Sequence, residues 1–214
     1  MPLVNKLLSY ATAVILMFSV TGCSALGGLG GLMGGDSGGS QGDFGAAETE
    51  VVGLINSALK NLSTSQAMIL DALGLKDDAA VAQQNAEDLE NGSITGKDEI
   101  ASKLESSQAL NDKIVAKLAE KEQLDSDAKS KFGQSLLPYA KGVVSGVQAG
   151  KKAADTLKSL SANPMQLTKF GTLAYVGKEA PTMISNFVDA TGAIKDFATY
   201  QGIPTDDLAE ASGL

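Results

Sequence analysis

The 214-residue sequence predicts an all-α fold, a bundle of four to six mostly antiparallel helices whose long fourth member is kinked. Three observations lead there. From about Ala47 onward, apolar residues recur at steps of three and four, the helical period. No segment alternates apolar and polar residues between hairpin turns, the mark of a half-buried strand. Gly, Asn and Pro punctuate the apolar runs at helix-length intervals.

The first helix is expected where Val51, Ile55, Leu59, Leu62, Ile69 and Leu73 keep one face, with Gly74 as its C-terminal cap. A polar, alanine-rich stretch follows from Asp77 to Glu90, carrying Val81 and Leu89 as a weak stripe. Asn91-Gly92 ends it. Thr95 and Asp98 resemble a capping box with Asp in place of Glu. Behind them, Ile100, Leu104, Ser107, Asn111, Ile114 and Leu118 form a partly polar stripe with Leu110 beside it. Asp125 is the expected cap of the fourth helix.

That fourth segment is the longest. Phe132, Leu136, Tyr139, Val143, Val147, Gly150, Ala154 and Leu157 keep the three-and-four rhythm of a packed helical seam. Pro138 lies inside it and removes one backbone hydrogen bond, so a kink is expected near Gly133–Pro138. Asn163-Pro164 reads as a new helix start, continued by Met165, Phe170, Leu173 and Val176. Gly177 and Pro181 separate it from a last helix bearing Ile184, Phe187, Val188, Ile194 and Phe197. Gly202 and Pro204 end that helix, and residues 205–214 read as a short frayed helix or tail.

Composition narrows the chemistry. The formal charge is -8, from 25 acidic and 17 basic residues, and every basic residue is lysine. Histidine is absent, so no side chain titrates naturally near neutrality. One cysteine, Cys23, leaves no disulfide partner. Without His and with no cysteine beyond Cys23, the usual zinc sites cannot form, and the Ser-His and Cys-His nucleophilic pairs are excluded. Without Arg there is no bidentate fork for phosphate or carboxylate, and an acidic chain lacking it is a poor nucleic-acid binder. Ser102-Lys103 and Ser130-Lys131 are adjacent pairs that do not face each other on a helix, so neither forms a dyad.

The N-terminus has a different character. Lys6 precedes a run of roughly 14 mostly apolar residues, Leu7 to Val20, the length of a signal-peptide core and short of the ~20 needed to span a bilayer. Val20-Thr21-Gly22-Cys23 follows, and this resembles the lipobox of a bacterial lipoprotein precursor. The resemblance covers only those four residues. It implies cleavage before Cys23, acylation of that thiol, and removal of residues 1–22. Ser24 in the next position implies, for a Gram-negative organism, sorting to the outer membrane. Residues 23–46 then hold the lipidated cysteine and a Gly/Ser-rich tether, whose typical end-to-end distance is roughly 25 Å. The bundle domain is expected over 47–202 and a C-terminal tail over 203–214.

Several features invite a functional reading. Gly142, Gly146 and Gly150 lie four apart and make a smooth strip, for close helix packing or for an oligomer face. Tyr139, Phe170, Tyr175, Phe187 and Phe197 would line an apolar pocket if the fold brought them together. Asp77-Asp78 and Asp125-Ser126-Asp127 sit at helix starts, where carboxylates favour the macrodipole, and lack the spacing of a calcium loop. No metal or cofactor site is expected. The expected role is a non-enzymatic binding or adaptor subunit of an envelope complex, held to a lipid bilayer through acylated Cys23 at the outer membrane. Its partner would be another envelope protein or a second copy, and not nucleic acid. The alternative is a periplasmic carrier of a lipid or other apolar ligand in a cleft between helices.

Overall fold

A computed structural model describes residues 44–92, 94, 96–160 and 170–212. Residues 1–22, Cys23, most of the tether, Asn163-Pro164 and Met165 lie outside the described residues. The described residues form helices joined by short connections, with no strand among them, and the expected all-α bundle is what they make. The elements are α1 (Phe44–Ala72), α2 (Lys76–Asn91), α3 (Lys97–Leu118), α4 (Ser126–Leu160), α5 (Gly171–Lys178) and α6 (Ala180–Gln201). A 3-10 turn (Asp206–Leu208) and a short α7 (Ala209–Ser212) follow.

Helix α1 already includes Phe44, three residues ahead of Ala47, and Phe44 meets Phe170 edge-on at 6.1 Å. At its other end Gly74 takes the left-handed conformation, φ 78°, while the Leu75 N–H donates back to the Leu70 carbonyl at 2.8 Å. That pairing satisfies a carbonyl the helix itself leaves open. Gly202 closes α6 in the same way, with φ 73° and Ile203 N–H donating to Ala198 O at 2.8 Å.

The start of α3 corrects the expected cap. Gly96 is the N-cap, and Glu99 reaches back to its N–H at 3.4 Å, one residue beyond the Thr95/Asp98 pairing. Asp125 caps α4 as expected, accepting from Ala128 N–H at 2.8 Å. Helix α4 runs for 35 residues and continues through Pro138. Proline has no N–H for the Gln134 carbonyl. One turn before it, the Ser135 hydroxyl donates to Phe132 O at 2.6 Å and the Ser65 hydroxyl donates to Ser135 O at 2.8 Å.

Helices α1 and α4 form an antiparallel spine. Glu50 pairs with Lys152 near one end and Asp71 with Lys131 near the other. Helix α2 folds back on α1, and α3 runs antiparallel to α2 through Asp78–Lys113, Asn85–Ser106 and Asp88–Lys103. The buried face of α2 is Ala79, Ala82, Asn85 and Leu89; Val81, expected in that stripe, is exposed. Adjacent helical positions point about 100° apart, so a face built on Ala82 excludes Val81. Helix α6 returns antiparallel to α4, with Ile184 beside Gly146 and Phe197 5.3 Å from Phe132.

Two apolar clusters fill the interior. One gathers Ile69, Leu70, Ile114, Phe132, Leu136, Tyr139, Phe187, Phe197 and Leu208. The other gathers Val51, Ile55, Leu59, Ile100, Leu104, Ala149, Ala153, Leu173, Val176 and Ile184. The segment after Gly202 is not a frayed end: Leu208 and Ala211 are fully buried.

Candidate functional site

At the glycine row of α4 a neighbouring helix comes close. A Cβ at Gly142 would lie 2.7 Å from Leu62 Cγ, 2.9 Å from the Leu62 backbone nitrogen and 3.1 Å from the Ala58 carbonyl oxygen. No side chain fits there, so the missing Cβ lets α1 lie directly on α4. Gly146 is easier: its nearest neighbours would be Ile184 at 3.4 Å and Ala58 Cβ at 3.7 Å. Gly150 would meet Ile184 at 3.6 Å and Pro181 at 3.9 Å. The row therefore packs within its own chain against α1 and α6. For Gly142 and Gly146 that occupies the face an oligomer would use.

Beyond Val143 the seam of α4 turns. The buried positions become Gly146, Ala149, Gly150, Ala153 and Leu160, while Val147, Ala154 and Leu157 are only half-buried. The arrival of α5 and α6 explains the shift, since Gly146 and Ala149 now face new neighbours. Val147, Gly150 and Ala154 edge an open groove of about 290 Å³ completed by Pro181, Ile184, Ser185 and Val188, with Lys151 at its lip.

The five aromatics expected to line a pocket do not converge. Tyr139 and Phe187 are core residues of one cluster, and Phe197 stacks on Phe132 in it. Phe170 packs at the edge of the other cluster against Phe44, and Tyr175 lies under the Lys97 ammonium at 6.0 Å. The enclosed hollow beside Phe187 and Gly142 is about 10 Å³, the room of one water at most.

Polar side chains hold the helices in register: Ser107, Asn111 and Tyr139 from the expected stripes, joined by Gln66, Asn56 and Gln201, which the stripes did not include. Gln66 and Ser107, both fully buried, exchange two hydrogen bonds across α1 and α3: Gln66 Nε2 to Ser107 O at 2.7 Å, and Ser107 Oγ to Gln66 Oε1 at 2.9 Å. Asn56 brackets Ile94 in the α2–α3 connection, donating to its carbonyl at 2.8 Å and accepting from its N–H at 3.2 Å. Gln201 does the same for the α3–α4 connection, donating to Glu122 O at 2.6 Å and accepting from Leu124 N–H at 3.1 Å. The Tyr139 hydroxyl sits 3.1 Å from Asn111 Oδ1 and 3.0 Å from Phe187 O, joining α3, α4 and α6. Burial pushes its pKa far above the usual phenol range. Among the described residues no buried side-chain nitrogen or oxygen lacks a partner. The signal for these joints was present in the sequence, as polar residues at core positions of a helical stripe.

Several ionisable groups tie one helix to another, and others pair locally. Lys103 bridges Asn85 at 2.9 Å and Asp88 at 2.7 Å, and its hydrogen bond holds the Asp88 carboxyl below its ordinary value. Hydrogen bonding to Glu120 and Glu122 raises Lys117, and Asp71 raises Lys131 in the same way. Among the described residues no three His, Cys, Asp or Glu side chains gather in a way that could hold a metal ion. No helix among them is long and apolar enough to cross a membrane.

No family model, curated protein or solved structure matches this chain. Its function must be read from its own residues.

Proposed function

We propose that this protein is a lipid-anchored component of a bacterial cell envelope, acting as a non-enzymatic binding or adaptor subunit. The observation that carries the reading is Val20-Thr21-Gly22-Cys23, placed directly after the apolar run Leu7–Val20. Acylation of Cys23 would anchor the chain, because two or more acyl chains hold a protein stably on a bilayer where one does so only marginally. The Gly/Ser-rich stretch before Phe44 would let the bundle stand off from the membrane. Ser24 favours the outer membrane as its destination.

The bundle suits a binding role for a physical reason. Its buried polar groups are engaged in helix-to-helix joints, and its core is filled, so what remains to act on the outside is surface. In cells, Cys23→Ser is expected to leave the protein without acyl chains and to move it out of the membrane fraction. Acyl mass on that variant, or unchanged membrane association, would refute the anchor.

The groove between α4 and α6 favours a second reading, carriage of an apolar ligand. Its walls are Val147, Ala154, Pro181, Ile184 and Val188. Lipid co-purifying with the protein in stoichiometric amount, and lost on Val147→Asp, would support that reading over the adaptor.

A further inference from the structure

Helices α3 and α6 run in the same direction, side by side, and leave a groove along their shared length. Two hollows make it up, one of about 490 Å³ and one of about 250 Å³, meeting at Val115 and Ala193. On α6 the lining positions are 186, 189, 190, 193, 196, 197 and 200; on α3 they are 111, 112, 115, 116 and 118, with Ala119 at its C-cap. Both sets keep the three-and-four spacing of a helix face that packs against another helix. Its lining includes buried Ala190, half-buried Val115 and Ala193, and exposed Ala116 and Ala119, and the alanines let a neighbouring backbone approach closely. From Asn186 to Tyr200 the groove is about 21 Å long, roughly four helical turns. Half-exposed Tyr200 stands at one end.

The charge on the rim is one-sided. Asp112, Asp189 and Asp196 line it, with Lys121 as the one cation among the lining residues. Asp112, Asp189 and Asp196 make no ion pair among the described residues; Lys113 pairs instead with Asp78, and Lys117 with Glu120 and Glu122, which leaves Lys121 and Lys195 as the cations beside three carboxylates. Asp189 and Asp196 lie seven residues apart on α6, two turns or about 10 Å.

We propose that this groove is the docking surface for a basic amphipathic helix of a partner protein. The occupant presents an apolar stripe to Val115 and Ala193 and carries Lys or Arg seven residues apart to meet Asp189 and Asp196. A second copy of this chain fits poorly, because its net charge of -8 opposes an acidic rim. The proposal rests on the adaptor reading and gives that reading a site and a partner chemistry.

The test is site-specific photo-cross-linking of the full-length protein in its own cells. A photoreactive phenylalanine analogue is placed in turn at Ala116 and Ala193 in the groove, and at Gln84 and Ser130 on other exposed faces. Mass spectrometry then identifies the cross-linked peptide. The expected product comes from Ala116 and Ala193, on a helical peptide with cations seven apart beside an apolar stripe. Asp189→Lys with Asp196→Lys should reduce it about tenfold or more, since like charges facing across an interface are strongly disfavoured. Both residues are exposed, so an unchanged melting temperature shows that the double variant still folds. Cross-links to a second copy, to a peptide without cations, or unaffected by the charge reversal overturn the proposal. Cross-links only from Gln84 or Ser130 overturn this surface and leave the adaptor reading standing. Absence of a cross-link at all four positions removes the surface and counts against the adaptor as well.

Discussion

Adding a methyl group at each glycine of the α1–α4 and α4–α6 contacts predicts opposite outcomes at neighbouring turns. In a helix, Ala is worth about 1 kcal/mol over Gly, so a glycine with free space should gain stability on replacement. Gly53 is exposed with nothing within 4 Å of its missing Cβ, and it reads that gain alone. Gly146 should gain as well, since its contacts of 3.4–3.7 Å are ordinary packing. Gly142 should lose. Its Cβ would sit 2.7 Å and 2.9 Å from Leu62 atoms, one of them backbone, so all of α1 must move rather than one side chain. Overpacking of this kind costs about 1–3 kcal/mol, and backbone displacement puts it near the upper end. Subtracting the helix gain leaves Gly142→Ala less stable by about 2 kcal/mol. In a domain of this size that is a fall of about 4–8 °C in melting temperature, against a rise of about 2–4 °C for Gly53→Ala. Thermal and urea unfolding followed by circular dichroism measure both. Should Gly142→Ala stabilise as much as Gly53→Ala, the close approach of α1 to α4 does not exist.

Two further predictions concern buried polar joints. Folding raises the Tyr139 pKa, so the native state keeps a proton that the unfolded chain releases above about pH 10. Its stabilising effect is complete below that pH and falls as pH rises, by up to about 1.4 kcal/mol per pH unit. Urea unfolding between pH 9 and 11.5 should show wild type losing stability faster than Tyr139→Phe, and parallel curves would contradict this. Ser107→Ala leaves Gln66 Oε1 without its buried donor and should cost about 1–3 kcal/mol in the same assay; a neutral result would mean the pair is not desolvated.

What the sequence made legible was periodicity. Ile100, Leu104, Ser107, Asn111, Ile114 and Leu118 were read as one face of α3, and all six are buried, including the two polar ones. Spacing decides a face whatever residue occupies it. The expected seam of α4 matches the buried face to Val143; beyond it Gly150 is buried, while Val147, Ala154 and Leu157 are half-buried and Ala149 and Ala153 take their place. A repeat of three and four says which residues share a face, and nothing about which neighbour arrives there. The polar stretch after Gly74 is helical as expected and its Leu89 is buried, but Val81 is not, because the buried face passes through Ala79, Ala82 and Asn85 instead. The five aromatics looked like one pocket because composition carries no position; the fold divides them between two clusters. The glycine row was seen as small, yet only the approach of α1 singles out Gly142. Asp189 and Asp196 passed unnoticed, although their spacing of seven was there to be read beside Ala193.

The central claim is the anchor at Cys23, and the mass of the native mature protein tests it most directly. The predicted species begins at Cys23 and carries the added mass of two or three acyl chains, all of it found on the isolated N-terminal peptide. A native polypeptide that retains residues 1–22, or one whose Cys23 bears an unmodified thiol, would contradict it.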